Sequence, residues 1–162
     1  MRSANDKSMT DGFMEFMGNR HLVTGIVGLV LAQILKIPYD LWRTKTFSLT
    51  MLTSTGGMPS SHSAFVVSIM LSIGFHEGFG TPIFAVAAAL AMVVMHDAAG
   101  VRRAAGLHAE ALNFLFEKLQ KHGIKPNYEL KEMLGHQPLE VLGGAILGII
   151  VSVTALHFFP IL

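Results

Sequence analysis

The sequence predicts an all-α fold, a polytopic bundle of membrane-spanning helices. Hydrophobic residues make up 51% of the 162-residue chain and charged residues only 14%, against about 25% charged residues in soluble domains. The mean hydropathy of +0.51 agrees with this class. Four apolar stretches, 21–42, 59–79, 82–95 and 138–162, are separated by polar segments. Since a helix needs roughly 20 residues to cross the hydrocarbon core, we expect about four spans.

Two segments lie outside these spans. Residues 1–20 are predicted to form a polar N-terminal segment ahead of a single membrane domain at 21–162. Between the third and fourth spans, apolar residues of 100–122 recur at helical spacing among charged ones, which predicts an amphipathic helix beside the membrane. The apolar part of the first span is short, so Lys36 near its end is expected to extend its ammonium group toward the lipid headgroups.

Lysine and arginine are concentrated in the loops after the first and third spans. Neither residue occurs between the second and third spans or after the fourth. The positive-inside rule therefore predicts an integral membrane protein with both basic loops in the cytoplasm and both termini outside.

The composition also bears on partners and cofactors. A formal net charge of +1 leaves no broad basic surface, so no nucleic-acid partner is expected. The absence of cysteine excludes a disulfide framework and a thiolate metal site. The sequence is compatible both with a monomer and with a homo-oligomer.

The segment from Gly56 to Ser63 is where a polar loop becomes an apolar helix. Pro59 is of the type favoured at the first helical position. Hydroxyl groups and an imidazole then fall in the first turn, where N–H groups have no intrahelical partner and the helix dipole is positive. This combination suits an anion, phosphate above all. The alternative is an ordinary capped helix start, because serine is a common N-cap.

Further polar side chains gather at the same predicted membrane face, where the spans meet the two basic loops. Together they are Lys36, Arg43, Ser60, Ser61, His62, Asp97, Arg102, Arg103, His136 and Glu140. Independent placement would scatter them over both faces. Simpler alternatives stand beside this interpretation: the cations follow the positive-inside rule, Asp97 pairs with a nearby arginine, and Glu140 favours a helix N-terminus. Four further histidines are expected to have no special role: His21, His76, His122 and His157.

His136 and Glu140 carry the strongest catalytic signal. They lie four residues apart across a predicted helix start, so they can share one face. A carboxylate there can accept the imidazole N–H and make the other ring nitrogen a better nucleophile. His62 could protonate a leaving oxygen, while cations and helix N–H groups hold the phosphoryl oxygens. These are the parts for phosphoryl transfer through phosphohistidine. No acidic cluster suits magnesium, so neither a metal nor another cofactor is expected.

At these residues the sequence resembles the type 2 phosphatidic acid phosphatase superfamily, which includes the vanadium-dependent haloperoxidases, and within it the small divergent membrane branch. Lys36 and Arg43 have the spacing of its first motif, Lys, six residues, Arg, Pro, although Thr44 replaces the proline. Residues 59–62, Pro-Ser-Ser-His, are similar to its second motif, Pro-Ser-Gly-His, with Ser61 in place of the glycine.

The third motif of the superfamily is Ser-Arg, five residues, His, three residues, Asp. His136 and Glu140 resemble its second half, and Arg102 and Arg103 resemble its first half, displaced upstream by the amphipathic helix. His108 competes with His136 because Arg102 and His108 also have the Arg-to-His spacing. However, a leucine stands where the acid should follow, so His136 is preferred.

The resemblance implies a helical membrane phosphatase that acts on lipid phosphates or on diphosphates such as polyprenyl diphosphates, without a metal or cofactor. By this resemblance His136 is the nucleophile, Glu140 its orienting carboxylate and His62 the general acid. The implied phosphate-binding residues are Lys36, Arg43, Ser60, Ser61 and Arg102 or Arg103, with Asp97 and His108 as supporting candidates. Two other functions remain open: a catalytically silent protein that binds or moves phospholipid headgroups, and an assembly factor that docks a partner through its amphipathic helix.

Overall fold

The computed structural model describes residues 9–45, 57–122, 130 and 137–158. These residues form six helices and no strand. In chain order the helices are α1 (Met9–Gly18), α2 (Arg20–Thr44), α3 (Ser61–Glu77), α4 (Pro82–Ala99), α5 (Val101–Lys121) and α6 (Pro138–Ala155). The predicted all-α bundle is confirmed. Residues 1–8 of the predicted N-terminal segment, and the polar loop at 46–56, lie outside the described residues.

Three helical stretches in the described part of the chain are long and apolar enough to cross a membrane. They are Arg20–Tyr39, Pro82–Lys121 and Pro138–Ala155. The remaining predicted span forms α3, whose 17 residues extend about 26 Å at 1.5 Å per residue. The molecule is therefore a helical membrane protein with three candidate spans and a shorter helix, α3, packed among them.

Helix α3 is the centre of the bundle and packs against α2, α4 and α6. Glycines allow α2 to approach it closely: Gly25 lies against Ile69, and Gly28 lies against Ser68 and the main-chain oxygen of Ala64. As α2 advances, its contacts on α3 move toward the start of α3, so the two helices are antiparallel. Small residues suit such contacts because helix packing in lipid depends on close approach rather than on a hydrophobic driving force.

Helix α6 runs parallel to α3 along a seam of small residues. Gly148 lies against the Ala64 carbonyl oxygen, and one turn later the Ser152 hydroxyl lies 3.1 Å from the Ser68 carbonyl oxygen and 2.8 Å from that of Gly148. Ser68 and Ser152 are both buried. Hydroxyl groups at such a seam join the helices without exposing a polar group to lipid. Because α3 and α6 are parallel, they begin at the same end of the bundle.

The start of α3 differs from the prediction. Ser60 is the N-cap and its hydroxyl oxygen accepts from the Ser63 N–H at 3.4 Å. Pro59 therefore precedes the helix and does not occupy its first position, because the serine side chain supplies the cap one residue later. Gly57, just before this point, has φ of +92°, a value in the left-handed region that favours glycine.

Other helix ends also differ from the predicted spans. α2 continues through Thr44, so Arg43 belongs to a helix and not to a loop. α4 extends to Ala99, which brings His96 and Asp97 into its last turn. The predictions followed hydropathy, which marks the segment inside the lipid, whereas backbone hydrogen bonds continue past it wherever the polar residues tolerate a helix.

A polar cluster joins α2 and α3 at the opposite end of the bundle. His21 Nδ1 lies 2.9 Å from Ser72 Oγ, and His21 Nε2 lies 3.4 Å from Glu77 Oε1. The His76 ring meets the His21 ring edge-on, with 5.7 Å between centroids. His21 and His76, for which no functional role was expected, thus have a packing role: antiparallel packing brings the start of α2 to the end of α3, and there the two histidines meet.

Candidate functional site

The candidate site lies where α3 and α6 begin side by side. The Ser60 main-chain N–H donates to the Glu140 main-chain oxygen at 2.9 Å. Gly144, nearly two turns into α6, lies directly against the Ser60 carbonyl oxygen and the Ser63 side chain. The positive ends of two parallel helix dipoles are therefore adjacent, and both favour negative charge at this end of the bundle.

The serines at the start of α3 point into the protein. Ser60 and Ser63 are completely buried, and Ser61 nearly so. The Ser63 hydroxyl lies 3.1 Å from Ser60 Oγ, so the two hydroxyl groups form a small buried network. His62, between them in sequence, is exposed, because successive helical residues point in directions about 100° apart.

Glu140 is 8% exposed and occupies the third position of α6. Its Oε2 accepts from the Gln137 main-chain N–H at 3.1 Å, as part of a capping box. This carboxylate oxygen therefore holds the backbone of the residue that directly follows His136. The sequence led us to expect that Glu140 accepts from the His136 imidazole; His136 itself lies outside the described residues.

Lys36 is buried, with 1% of its surface exposed. It follows the fully buried Ala32 by one helical turn, on the face of α2 that packs against α3. Gly28 lies beside Ala64, and α2 is antiparallel to α3. Eight residues further along, α2 has therefore reached and slightly passed the start of α3, so Lys36 lies toward the end of the bundle where α3 begins. The expectation that Lys36 extends its ammonium toward the headgroups is wrong, because its side chain is enclosed by the bundle.

The other candidates are more dispersed. Arg103 and His108 are exposed on α5. Asp97 lines an open groove of about 530 Å³ at the corner between α4 and α5, with His96, Met92, Val93 and Val101. The side chains of Arg43 and Arg102 lie outside the described part of the structure. The structure thus brings Ser60, Ser61 and Glu140 together at one end of the bundle, and the buried Lys36 lies toward the same end.

Two contributors to this end of the bundle were not among the predicted site residues. Ser63 joins the buried hydroxyl network, and Gly144 permits the contact between the helix starts. Their spacing carried a signal: Ser63 is three residues after Ser60, as in an N-cap pair, and Gly144 is four residues before Gly148, as in a close-packed transmembrane seam. Among the described residues, no group of three or more His, Cys, Asp or Glu side chains is arranged to hold a metal ion.

A bundle of apolar helices with buried hydroxyl, ammonium and carboxylate groups at one end defines a polytopic membrane protein with a polar site. The sequence pattern of the Divergent PAP2 family matches residues 17–151, and the chain belongs to this family. The predicted resemblance is thereby confirmed. The chain is also 35% identical over 159 residues to an uncharacterized membrane protein of Bacillus subtilis (strain 168), YuiD, covering 90% of this chain and 99% of that protein. No solved structure matches the chain.

Proposed function

We propose that the protein is a membrane-embedded, metal-independent phosphohydrolase that acts on a lipid phosphate or lipid diphosphate through a phosphohistidine intermediate. The observation that carries this proposal is the parallel packing of α3 and α6. It sets two helix N-termini side by side next to buried serines, with a buried lysine toward the same end of the bundle. Such an arrangement favours the negative charge of a phosphoryl group.

Phosphate binding falls to the groups around these helix starts. The ammonium of Lys36, the hydroxyls of Ser60 and Ser61 and the first N–H groups of α3 hold the non-bridging oxygens. Arg43 and Arg102 or Arg103 add charge from the cytoplasmic side, where the lipid headgroup enters. These donors stabilise the charge on the oxygens as the phosphoryl group moves.

The reaction proceeds in two steps. A ring nitrogen of His136 attacks phosphorus, a nitrogen–phosphorus bond forms, and the phosphorus–oxygen bond to the lipid breaks. His62 gives a proton to the departing lipid oxygen. Water then attacks the phosphohistidine, its proton returns to His62, and inorganic phosphate leaves with His136 restored. Glu140 positions His136 by fixing the adjacent backbone at Gln137, and its charge stabilises the imidazolium.

The direct test is phosphate release from phosphatidate and from polyprenyl diphosphates by the purified protein with EDTA present. We expect His136→Ala to lose several orders of magnitude in rate, about 10³-fold or more by comparison with other nucleophile deletions. His157→Ala is the matched control, because His157 is exposed beyond the far end of α6. Equal rates for the wild type and His136→Ala on every substrate would refute the proposal.

A second candidate function is that of a silent protein that binds or moves phospholipid headgroups with the same pocket. Two observations favour it: Glu140 Oε2 is engaged in capping α6, and Ser61 puts a side chain where the superfamily motif has glycine. This function predicts that Arg43→Ala weakens lipid binding while His136→Ala keeps full activity in a cell complementation assay. An inactive His136→Ala in that assay would count against it.

A further inference from the structure

Helix α5 presents an apolar face that no described helix covers. Among the described helices it packs only against α4. Its exposed large apolar side chains are Val101, Leu107, Leu112, Phe114, Leu115 and Leu119. An amphipathic helix with such a face outside the core of its own protein needs an apolar environment from elsewhere.

The opposite flank of α5 is occupied. Asn113 Nδ2 donates to the Leu130 carbonyl oxygen at 2.7 Å, and the Leu130 N–H donates to Asn113 Oδ1 at 3.0 Å. At 3.6 residues per turn, Asn113 and Leu115 point about 160° apart. Leu130 therefore lies against the polar flank, and the Leu115 side is exposed in the described residues.

The apolar face of α5 begins next to the lipid-facing side of α4. Val86, Leu90 and Val93 form an exposed apolar stripe along α4, and Val93 and Val101 line the same groove at the α4–α5 corner. Since α4 is a candidate membrane span, the first apolar residue of α5 lies at the level where the chain leaves the lipid.

The width and charge of this face indicate a lipid surface and not a second helix. Phe114 and Leu119 point about 140° apart, which is broader than the narrow seam of a coiled coil. Lys118 lies beside Phe114 on the apolar face, with its Nζ 5.2 Å from the centroid of the Phe114 ring. An aliphatic stem beside an apolar face with a charged end is the arrangement by which lysine reaches lipid phosphates.

We propose that α5 lies in the lipid–water interface and binds a membrane surface that contains anionic phospholipids. Its apolar face enters the boundary between headgroups and acyl chains, and Lys118 contacts lipid phosphate. This interaction does not depend on phosphohydrolase activity. It uses the apolar face of α5 and Lys118, whereas the α5 residues assigned to the phosphate pocket, Arg102 and Arg103, take no part in it.

Site-directed spin labels can test this placement in the full-length protein, because the chain has no cysteine. Leu115→Cys places a label on the apolar face, and Glu110→Cys places the matched control on the exposed polar side. Each variant is reconstituted in nanodiscs of phosphatidylcholine with or without phosphatidylglycerol. We expect the Leu115 label to be accessible to oxygen and shielded from a water-soluble nickel complex, and the Glu110 label to show the reverse.

A second part of the experiment tests the contact between Lys118 and anionic lipid. We expect phosphatidylglycerol to strengthen the shielding of the Leu115 label from the nickel complex. We expect Lys118→Gln to weaken the binding of α5 to the anionic membrane surface about fivefold, which is the effect of one cation near such a surface. Lys118→Arg should retain it. If phosphatidylglycerol and Lys118→Gln change nothing, the anionic-lipid assignment is overturned.

Two other outcomes would also overturn the proposal. If both labels are equally accessible to the nickel complex, α5 stands in water. If the Leu115 label is shielded from both reagents and its spectrum broadens by spin–spin coupling, a second copy of the chain covers the face instead of lipid.

Discussion

Glu140 is the residue at which structural and catalytic roles can be separated. Its carboxylate caps α6 through the Gln137 N–H, and in the proposed mechanism its charge also supports His136. Glutamine keeps a side-chain oxygen for the cap but removes the charge, whereas alanine removes both. The two substitutions therefore test different parts of the account.

We expect Glu140→Ala to lower the free energy of unfolding by about 1 kcal/mol, the usual effect of losing a helix cap. Glu140→Gln should remain as stable as the wild type in detergent. Its phosphate-release rate should still fall, by up to about 10⁴-fold, because an orienting carboxylate must be charged. Full activity in Glu140→Gln would show that Glu140 acts only as a helix cap and not in catalysis.

Lys36 is a charged residue whose side chain is buried inside the helix bundle. An ammonium group inside a membrane bundle is costly, and such groups mark functional positions. Lys36→Met is close in volume, so we expect it to fold and to keep its thermal stability. Its kcat/KM for phosphate release should fall about 10²-fold or more, because one charged donor to the phosphoryl oxygens is lost. A wild-type kcat/KM in this variant would show that Lys36 does not bind the phosphoryl oxygens.

At the level of elements, the seam between α3 and α6 positions the candidate site. A methyl group at Gly144 would meet the Ser60 carbonyl oxygen and the Ser63 side chain, so the helix starts would have to separate. We expect Gly144→Ala to lower the free energy of unfolding by about 1–3 kcal/mol, and to reduce phosphate release because Ser60 moves with the seam.

Gly143→Ala is the matched control for Gly144→Ala. Its methyl group would meet mainly the end of the flexible Met58 side chain, which can move. Thermal unfolding and phosphate release, measured in parallel, should show little change for Gly143→Ala. Similar losses for both variants would mean that the close approach at Gly144 does not position the site.

Helix identity was predictable from hydropathy and spacing, while helix ends and pairings were not. The amphipathic helix at 100–122 appears as α5, within one residue at either end. The burial of Lys36 was missed because it depends on which face of α2 meets α3. The meeting of His21 with His76 was missed for the same reason, since it joins residues more than fifty positions apart.

At the scale of the whole molecule, the topology places the candidate site and the His21 cluster at opposite ends of the bundle. The motifs predicted that a set of polar residues shares one end; of that set, Ser60, Ser61 and Glu140 lie where α3 and α6 both begin. The sequence could not predict that Ser60 and Glu140 meet through their backbones, because that contact arises from the parallel packing of α6 on α3.

Orientation in the membrane stays a prediction of the positive-inside rule, and it can be tested by cysteine accessibility. Gly80, in the short connection between α3 and α4, has open space around it. We expect a membrane-impermeant maleimide to label Gly80→Cys in intact cells. Glu110→Cys, exposed on α5, should react only after permeabilisation. The reverse pattern would place the candidate site outside the cell.

The central claim is that phosphoryl transfer passes through His136, and trapping the intermediate tests it most directly. The protein is mixed with a labelled lipid phosphate, denatured within a fraction of a turnover and analysed by mass spectrometry under alkaline conditions that preserve phosphohistidine. We expect a phosphoryl group on His136 in the wild type and none in His136→Ala. Phosphate release by the wild type with no phosphoryl group on His136 would contradict the account.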